Sequence, residues 1–247
     1  NHNNGQESDA LWSLKGSLNY LLLDDMEVYL SAGQGFHSND ARGTVTRVDP
    51  NSGDRVAPVD PLVRALGYEV GMRWRPNSQF NSSVALWALE QDSELLFVGD
   101  AGNTEASRPS YRNGIEVAAY YNVNDNLSFD FEYAYTDAEF DDALPNDYIP
   151  GAVEDILQLG ATHRFGNNWL STLRVRYIGE RPLTEDNSVR SDSSTVVNFL
   201  LAKQWQNWSA QVQILNLLDS NDHDIDYYYA SRLQGEPAAG VEDLHYH

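Results

Sequence analysis

The chain alternates. Along residues 127–136, Leu127, Phe129, Phe131, Tyr133 and Tyr135 fall on one parity, and Ser128, Asp130, Glu132, Ala134 and Thr136 on the other. A β-strand sends successive side chains to opposite faces, so this spacing predicts a strand with one apolar wall and one wet wall. The same reading predicts strands over 10–22, 27–36, 67–75, 80–98, 111–121 and 155–165, and another from Trp169 through Tyr177. A last hairpin is predicted within 196–219, turning at Gln206-Asn207. Its return strand, 208–217, sets Trp208, Ala210, Val212 and Ile214 against Ser209, Gln211 and Gln213. Parity is poorest in 80–98, where Trp87 and Leu89 oppose Val84 and Leu86, so a bulge or a departure from the membrane is expected there. No stretch carries a helical period.

These elements make ten strands in five hairpins. Short turns alternate with long polar loops at 37–63, 99–110, 137–152 and 181–194. The short turns carry aromatic residues on the apolar parity: Trp74 and Phe80, Tyr121 and Phe129, Phe165 and Trp169, Trp205 and Trp208, with Tyr20 alone at the first. Amphipathic rings settle where hydrocarbon meets water. A ring of them beside every short turn predicts one membrane interface there, with the long loops on the far side. A soluble meander would need a second layer over its apolar wall, and no segment offers one. The wet wall is ionic, with Lys15, Arg73, Asp130, Glu132, Arg164, Arg174 and Arg176.

Composition changes this picture little. The 247 residues suit one large β domain or two small ones. The formal charge of -21, from 16 basic and 37 acidic residues, argues against a nucleic-acid partner, whose phosphates require a basic surface. Cysteine is absent, which fits a protein without a disulfide framework. No apolar run is long enough for a membrane-spanning helix, but barrel strands hide their apolar residues at every second position. The polar start, Asn1-His2-Asn3-Asn4, is not a signal peptide.

Several short segments resemble one family. Asn216-Leu217-Leu218-Asp219 is similar to the Asn-Leu-Phe-Asp signature near the end of TonB-dependent outer-membrane receptors, with Leu218 where the family usually has Phe. Residues 33–40, beginning Gly33-Gln34-Gly35-Phe36, resemble the family's Gly-x-Gly-Phe segment at an outer strand end. Residues 177–182 and Ser231-Arg232-Leu233 are also similar. The resemblance implies an all-β, antiparallel transmembrane β-barrel in a Gram-negative outer membrane. It further implies twenty-two strands closed around an N-terminal plug. Residues 1–247 then read as a partial barrel of about ten strands, the twelfth to the twenty-first, with no plug and without the final strand. An open sheet leaves unpaired backbone at both edges, for which lipid has no partner, so a fragment of a longer chain is expected.

Candidate chemistry gathers in four places. Phe36, His37, Ser38, Asn39, Asp40 and Arg42 sit at an outer strand end, either lining a ligand path or simply opening a polar loop. Asp137, Glu139, Asp141, Asp142 and Asp147 could ligate a hard cation, but their spacing is not that of an EF-hand, and a solvated acidic loop is the simpler reading. His223 and Asp224 stand with Asp222, Asp226 and Tyr227-Tyr228-Tyr229; neighbours on an extended segment point apart, so a tyrosine-rich binding surface fits better than a catalytic pair. The fourth place is the ionic wall, which reads as a solute path, a plug seat or cross-strand ion pairs. The expected ligand-binding residues are Phe36, His37, Asn39, Asp40, Arg42, Arg181, Tyr227 and Tyr229. No catalytic residue, metal site or cofactor is expected, since nothing resembles a nucleophile elbow, phosphate loop or zinc motif.

What the resemblance implies is a receptor for active uptake of a scarce solute, such as a ferric siderophore, cobalamin or a glycan. Its partners would be outer-membrane lipid, the small-molecule or chelate solute, and the TonB energy-coupling complex acting through a plug outside this chain. A barrel enzyme with acidic groups at its rim and a passive pore are the alternatives.

Overall fold

The computed structural model describes residues 3–39, 41–48, 53–98, 103–106, 108–223, 225–238 and 240–246. Ten strands form one antiparallel sheet. In order across it they are β1 (Lys15–Leu23), β2 (Met26–Ser38), β3 (Leu62–Trp74), β4 (Phe80–Gln91), β7 (Ser110–Asn124), β8 (Leu127–Phe140), β9 (Asp155–Phe165), β10 (Trp169–Ile178), β11 (Ser194–Gln204) and β12 (Ser209–Ile214). Every neighbour in the sheet is also the next of these strands along the chain, as in an up-and-down meander. The edge strands β1 and β12 each pair on one side, among the described residues. Two small hairpins stand apart: β5 (Leu95–Val98) with β6 (Asn103–Ala106), and β13 (Asp226–Ser231) with β14 (Val241–Tyr246).

The register keeps the two walls distinct from edge to edge. One rung runs Phe129, Ala161, Leu173, Phe199 and Ile214 on the apolar wall. Another runs Asp130, Gly160, Arg174 and Asn198 on the ionic wall. Among the described residues no layer covers the apolar wall: Leu18, Leu30, Val70, Leu86 and Val212 remain half exposed or more. Hydrocarbon can satisfy such a surface and cannot satisfy its ionic opposite, so the apolar wall is the lipid side.

Three of the five short turns are built by asparagine. Asn77 Oδ1 accepts from the Gln79 and Phe80 amides at 2.8 and 2.9 Å, and Asn124 Oδ1 accepts from Asn126 and Leu127 at 2.8 and 3.0 Å. Between β9 and β10, Asn167 and Asn168 take φ values of 61° and 58°, the left-handed region that asparagine tolerates.

Several boundaries depart from the sequence reading. The first strand begins at Lys15, not residue 10, although the Leu14 carbonyl still accepts from Gln34 at 2.8 Å. Strand β3 starts five residues early, at Leu62, and the loop before it holds a short helix, α1 (Ala41–Val45). Strand β4 runs through Gln91 in unbroken register, so its odd parity is no bulge. Trp87 belongs to the ionic wall because it pairs with Gly114 and its ring lies across it; a Cβ on Gly114 would meet that ring and the Tyr135 carbonyl oxygen. Tyr29 covers Gly71, and the Asp130 carboxylate covers Gly160, in the same way.

Strand β12 ends at Ile214 rather than 217. Asn216 there adopts φ 49°, its amide donates to Asn198 Oδ1 at 2.9 Å, and its side chain ties to Ser220 at 2.7 and 2.8 Å. The Asn216-Leu217-Leu218-Asp219 motif is therefore the knot that stops the strand. The segment after it, read as a polar tail, forms β13 and β14.

Candidate functional site

Polar side chains with buried partners concentrate at the end of the sheet that carries the long loops. The chain packs most tightly there. Phe140 and Ile149 are each 3% exposed and Leu183 5%, while Ser110 and Pro182 are fully buried. Arginines clasp the loops together. Arg108 meets Asp142 through two nitrogens, Nε at 2.7 Å and Nη2 at 2.6 Å. Its Nη1 donates to Glu185 at 3.1 Å and to the Asn146 carbonyl at 2.8 Å, and its guanidinium lies 4.4 Å over the Phe140 ring. One side chain thus joins the loops before β7, after β8 and after β10. Bidentate arginine–carboxylate pairs fix geometry as well as charge. The bond from Arg108 pulls the Asp142 pKa down to about 2.

A second clasp is Arg190, 2.9 Å from Glu154 and 3.7 Å from Glu180. A third is Arg181, which pairs with Asp226 at 3.0 Å; both side chains are almost fully buried. It fastens hairpin β13–β14 to the loop after β10, helped by Asp222 Oδ2, which accepts from the Thr195 amide at 2.7 Å. At the near edge of this layer Glu94 pairs with Arg112 at 2.9 Å and accepts a short bond from the Ser110 hydroxyl.

The expected ligand residues fall in two groups with five strands between them, about 30 Å apart at the usual strand spacing. In the first, Phe36 pairs with Arg64 on the apolar parity and is 53% exposed. His37 faces the ionic side opposite Val63, and its Nε2 has no hydrogen-bond partner. Asn39 works structurally: its Nδ2 donates to the Asp60 carbonyl at 2.6 Å and its amide to Pro61 at 3.0 Å. Asp40 lies outside the described residues, as does the side chain of Arg42. The second group comprises Arg181, Tyr227 and Tyr229. Arg181, at 5% exposure, is a strut. Tyr227 pairs in register with His245, and the Tyr229 ring stacks on the His245 ring at 3.9 Å. His223 stacks on Tyr246 at 4.0 Å, while Asp224 lies outside the described residues. Among the described residues no three His, Asp or Glu side chains converge as a metal site would require.

The ionic wall holds its charges in cross-strand contacts. Arg73 pairs with Glu27 at 2.6 Å and lies 4.4 Å over the Tyr29 ring, and Arg174 pairs with Asp130 at 3.1 Å. Sequence reasoning found this wall but missed Arg108, Arg112, Arg190 and Glu185. Their partners lie far along the chain, so no local pattern announces them.

Comparison with known proteins places this architecture. The family model described as TonB dependent receptor-like, beta-barrel matches residues 1–217. The fold is similar to the ferric yersiniabactin uptake receptor FyuA from Yersinia pestis, at 17% identity and a TM-score of 0.66, over 94% of this chain and 35% of that one. It is similar to the ferric-catecholate import receptor Fiu from K12 E. coli, at 18% identity and a TM-score of 0.65, over 87% and 31%. It is also similar to the copper transporter OprC, at 17% identity and a TM-score of 0.65, over 92% and 37%. The chain spans about a third of the length of each. An uncovered apolar wall, an ionic opposite face and the family match agree: this chain belongs to the TonB-dependent receptor β-barrel family and is a protein of the Gram-negative outer membrane.

Proposed function

We propose that the chain is part of the barrel of an uptake receptor, a transporter and not an enzyme. Its short turns face the periplasm and its long loops bind a solute outside the cell. The observation that carries this is the asymmetry of the two ends. One end has turns of a few residues, and the other has loops clasped by Arg108, Arg181 and Arg190 into an ordered layer. Further strands of a larger barrel, twenty-two in all, would pair with the open edges of β1 and β12. A plug domain of the full-length protein would fill the bore and answer to the TonB complex.

An anionic metal chelate is the solute class best supported. Residues 156–179 and 193–218 contain no carboxylate, in a chain of net charge -21, and they put Arg164, Arg174 and Arg176 on the ionic wall. The similar receptors named for ferric yersiniabactin and ferric catecholates support a metal chelate as the solute class. Solute contact would come from His37, Asn39, Asp40 and Arg42 on one side and Tyr227 and Tyr229 on the other, with Arg181 positioning the tyrosine hairpin; Phe36, on the lipid-side parity, is not among them.

The test is uptake of iron-55 chelates by a strain lacking the gene, complemented with the full-length protein or with His37→Ala/Tyr229→Ala. Loss in the deletion strain, restoration by the wild type and reduced affinity in the double variant are expected. Equal uptake in all strains, for every chelate tried, would refute the reading. Epitopes inserted at residue 144 and at residue 206 check orientation: only the first should be reached by antibody on intact cells.

A further inference from the structure

The lipid side carries a polar column beside the turns that join β9 to β10 and β11 to β12. Lys203 pairs in register with Trp169, so both stand on the apolar wall. Its ammonium lies 5.3 Å from the centre of the Trp169 ring and 5.8 Å from that of Trp205. No carboxylate pairs with it among the described residues, and the acid-free tracts at 156–179 and 193–218 explain why. The adjoining turns supply amides instead: Asn167, Asn168, Gln206 and Asn207.

The next rung inward along β10 is also polar. Ser171 pairs with His163 there, while the flanking strands carry Leu127 and Leu201 on the same rung. One rung further, the wall turns wholly apolar and opens into a groove. Ala161 and Leu173 pair at its mouth, Leu159 and Val175 lie beyond, and the Phe129 and Phe131 rings make its far bank. Rungs on one wall are two residues apart, roughly 6–7 Å. Cation, hydroxyl and imidazole, then hydrocarbon groove therefore succeed one another over about 13 Å along β10.

We infer that this column is a glycerophospholipid site: Lys203 binds the phosphate between two indole rings, Ser171 and His163 meet the ester carbonyls, and the Ala161–Leu173 groove takes an acyl chain. The order of chemistry along the column is that of the lipid itself. A cation on the membrane-facing wall, with no acid among the described residues to neutralise it, matches a phosphate. The leaflet, periplasmic, follows from the orientation proposed above; the site itself does not depend on transport.

The experiment is native mass spectrometry of the full-length protein, delipidated in detergent and titrated with phosphatidylglycerol. Lys203→Gln should weaken retention of the first lipid about five-fold, the scale of one cation at a lipid surface. Ser171→Trp, which fills the column without touching charge, should abolish it. Lys203→Arg should restore binding, and Lys15→Gln, on the ionic wall, should leave it unchanged. Gel mobility before and after heating confirms that each variant is folded. Equal retention by wild type, Lys203→Gln and Ser171→Trp would overturn the site. So would Lys203-dependent retention of lipid A with none of phosphatidylglycerol, which would overturn the orientation as well. Uptake is not the readout, so failure of the transport reading leaves this result standing.

Discussion

Asp142 gives one carboxylate oxygen to Arg108 Nη2 at 2.6 Å and the other to Nε at 2.7 Å, across 34 residues of sequence. The folded pKa of about 2 lies below the ordinary value for aspartate, about 3.9. The stabilisation is therefore whole above about pH 4 and is lost as pH falls through about 2. The Leu144 amide, which donates to Asp142 at 2.9 Å, reports on it. Its hydrogen-exchange protection should fail across that window, and in Arg108→Leu the failure should move up toward the ordinary carboxylate range. Protection indifferent to pH would mean that the clasp is not what orders the loop.

Removing one member of the Arg181–Asp226 pair strands a buried charge. Such losses cost about 3–5 kcal/mol, whereas replacing both partners by apolar groups is often nearly neutral. Asp226→Ala should free the β13–β14 hairpin and leave the sheet intact. Limited proteolysis at the turn near Gly235 is the measurement. Faster cleavage in Asp226→Ala, and slower cleavage again in Arg181→Met/Asp226→Leu, is the expected order.

Gly114 has no room for a side chain, since a Cβ would press on both the Trp87 ring and the Tyr135 carbonyl. Gly114→Val should destabilise the barrel by about 1–3 kcal/mol, the range for overpacked sites. Gly35, with nothing near its missing Cβ, should accept alanine with little change. Urea midpoints of the two variants in lipid vesicles make the comparison.

The two walls can be read by depth. Trp74 packs edge-on against Phe80 at 5.6 Å, and Phe80 against Tyr121 at 6.2 Å, forming the aromatic ring at the short turns. In single-tryptophan variants, Trp74 and Trp169 should be quenched most by nitroxides near the lipid headgroup. Trp87 should be nearly untouched by any lipid-borne label, because it faces the bore. Strong quenching of Trp87 by mid-chain labels would reverse the wall assignment.

Alternation exposed the sheet in the sequence because a strand's two faces meet two different solvents, and each residue votes for one. All ten sheet strands were legible that way, as was the ionic wall. Where one residue breaks its vote the reading faltered: Trp87 is aromatic yet inward-facing, and the glycine that accommodates it sits on the next strand. The ion pairs of the outer layer were not legible, although Asp142, Arg181 and Asp226 were among the candidate residues. Arg108, Glu185 and Asp226 are ordinary surface types, and only the folded loops bring them within bonding distance. Of the expected ligand residues, His37 stands at the outer end of β2 and Tyr227 and Tyr229 on the β13–β14 hairpin, while Asn39 and Arg181 have structural work that no local pattern disclosed.

Tyr29, Trp87 and Asp130 each recline on a glycine of the adjacent strand. How far the ionic face projects is thus governed by what is absent at Gly71, Gly114 and Gly160 rather than by the bulk of the three large residues. A methyl group at Gly71 or Gly160 would push its neighbour off the sheet, and at Gly114 it would press on the Tyr135 carbonyl as well.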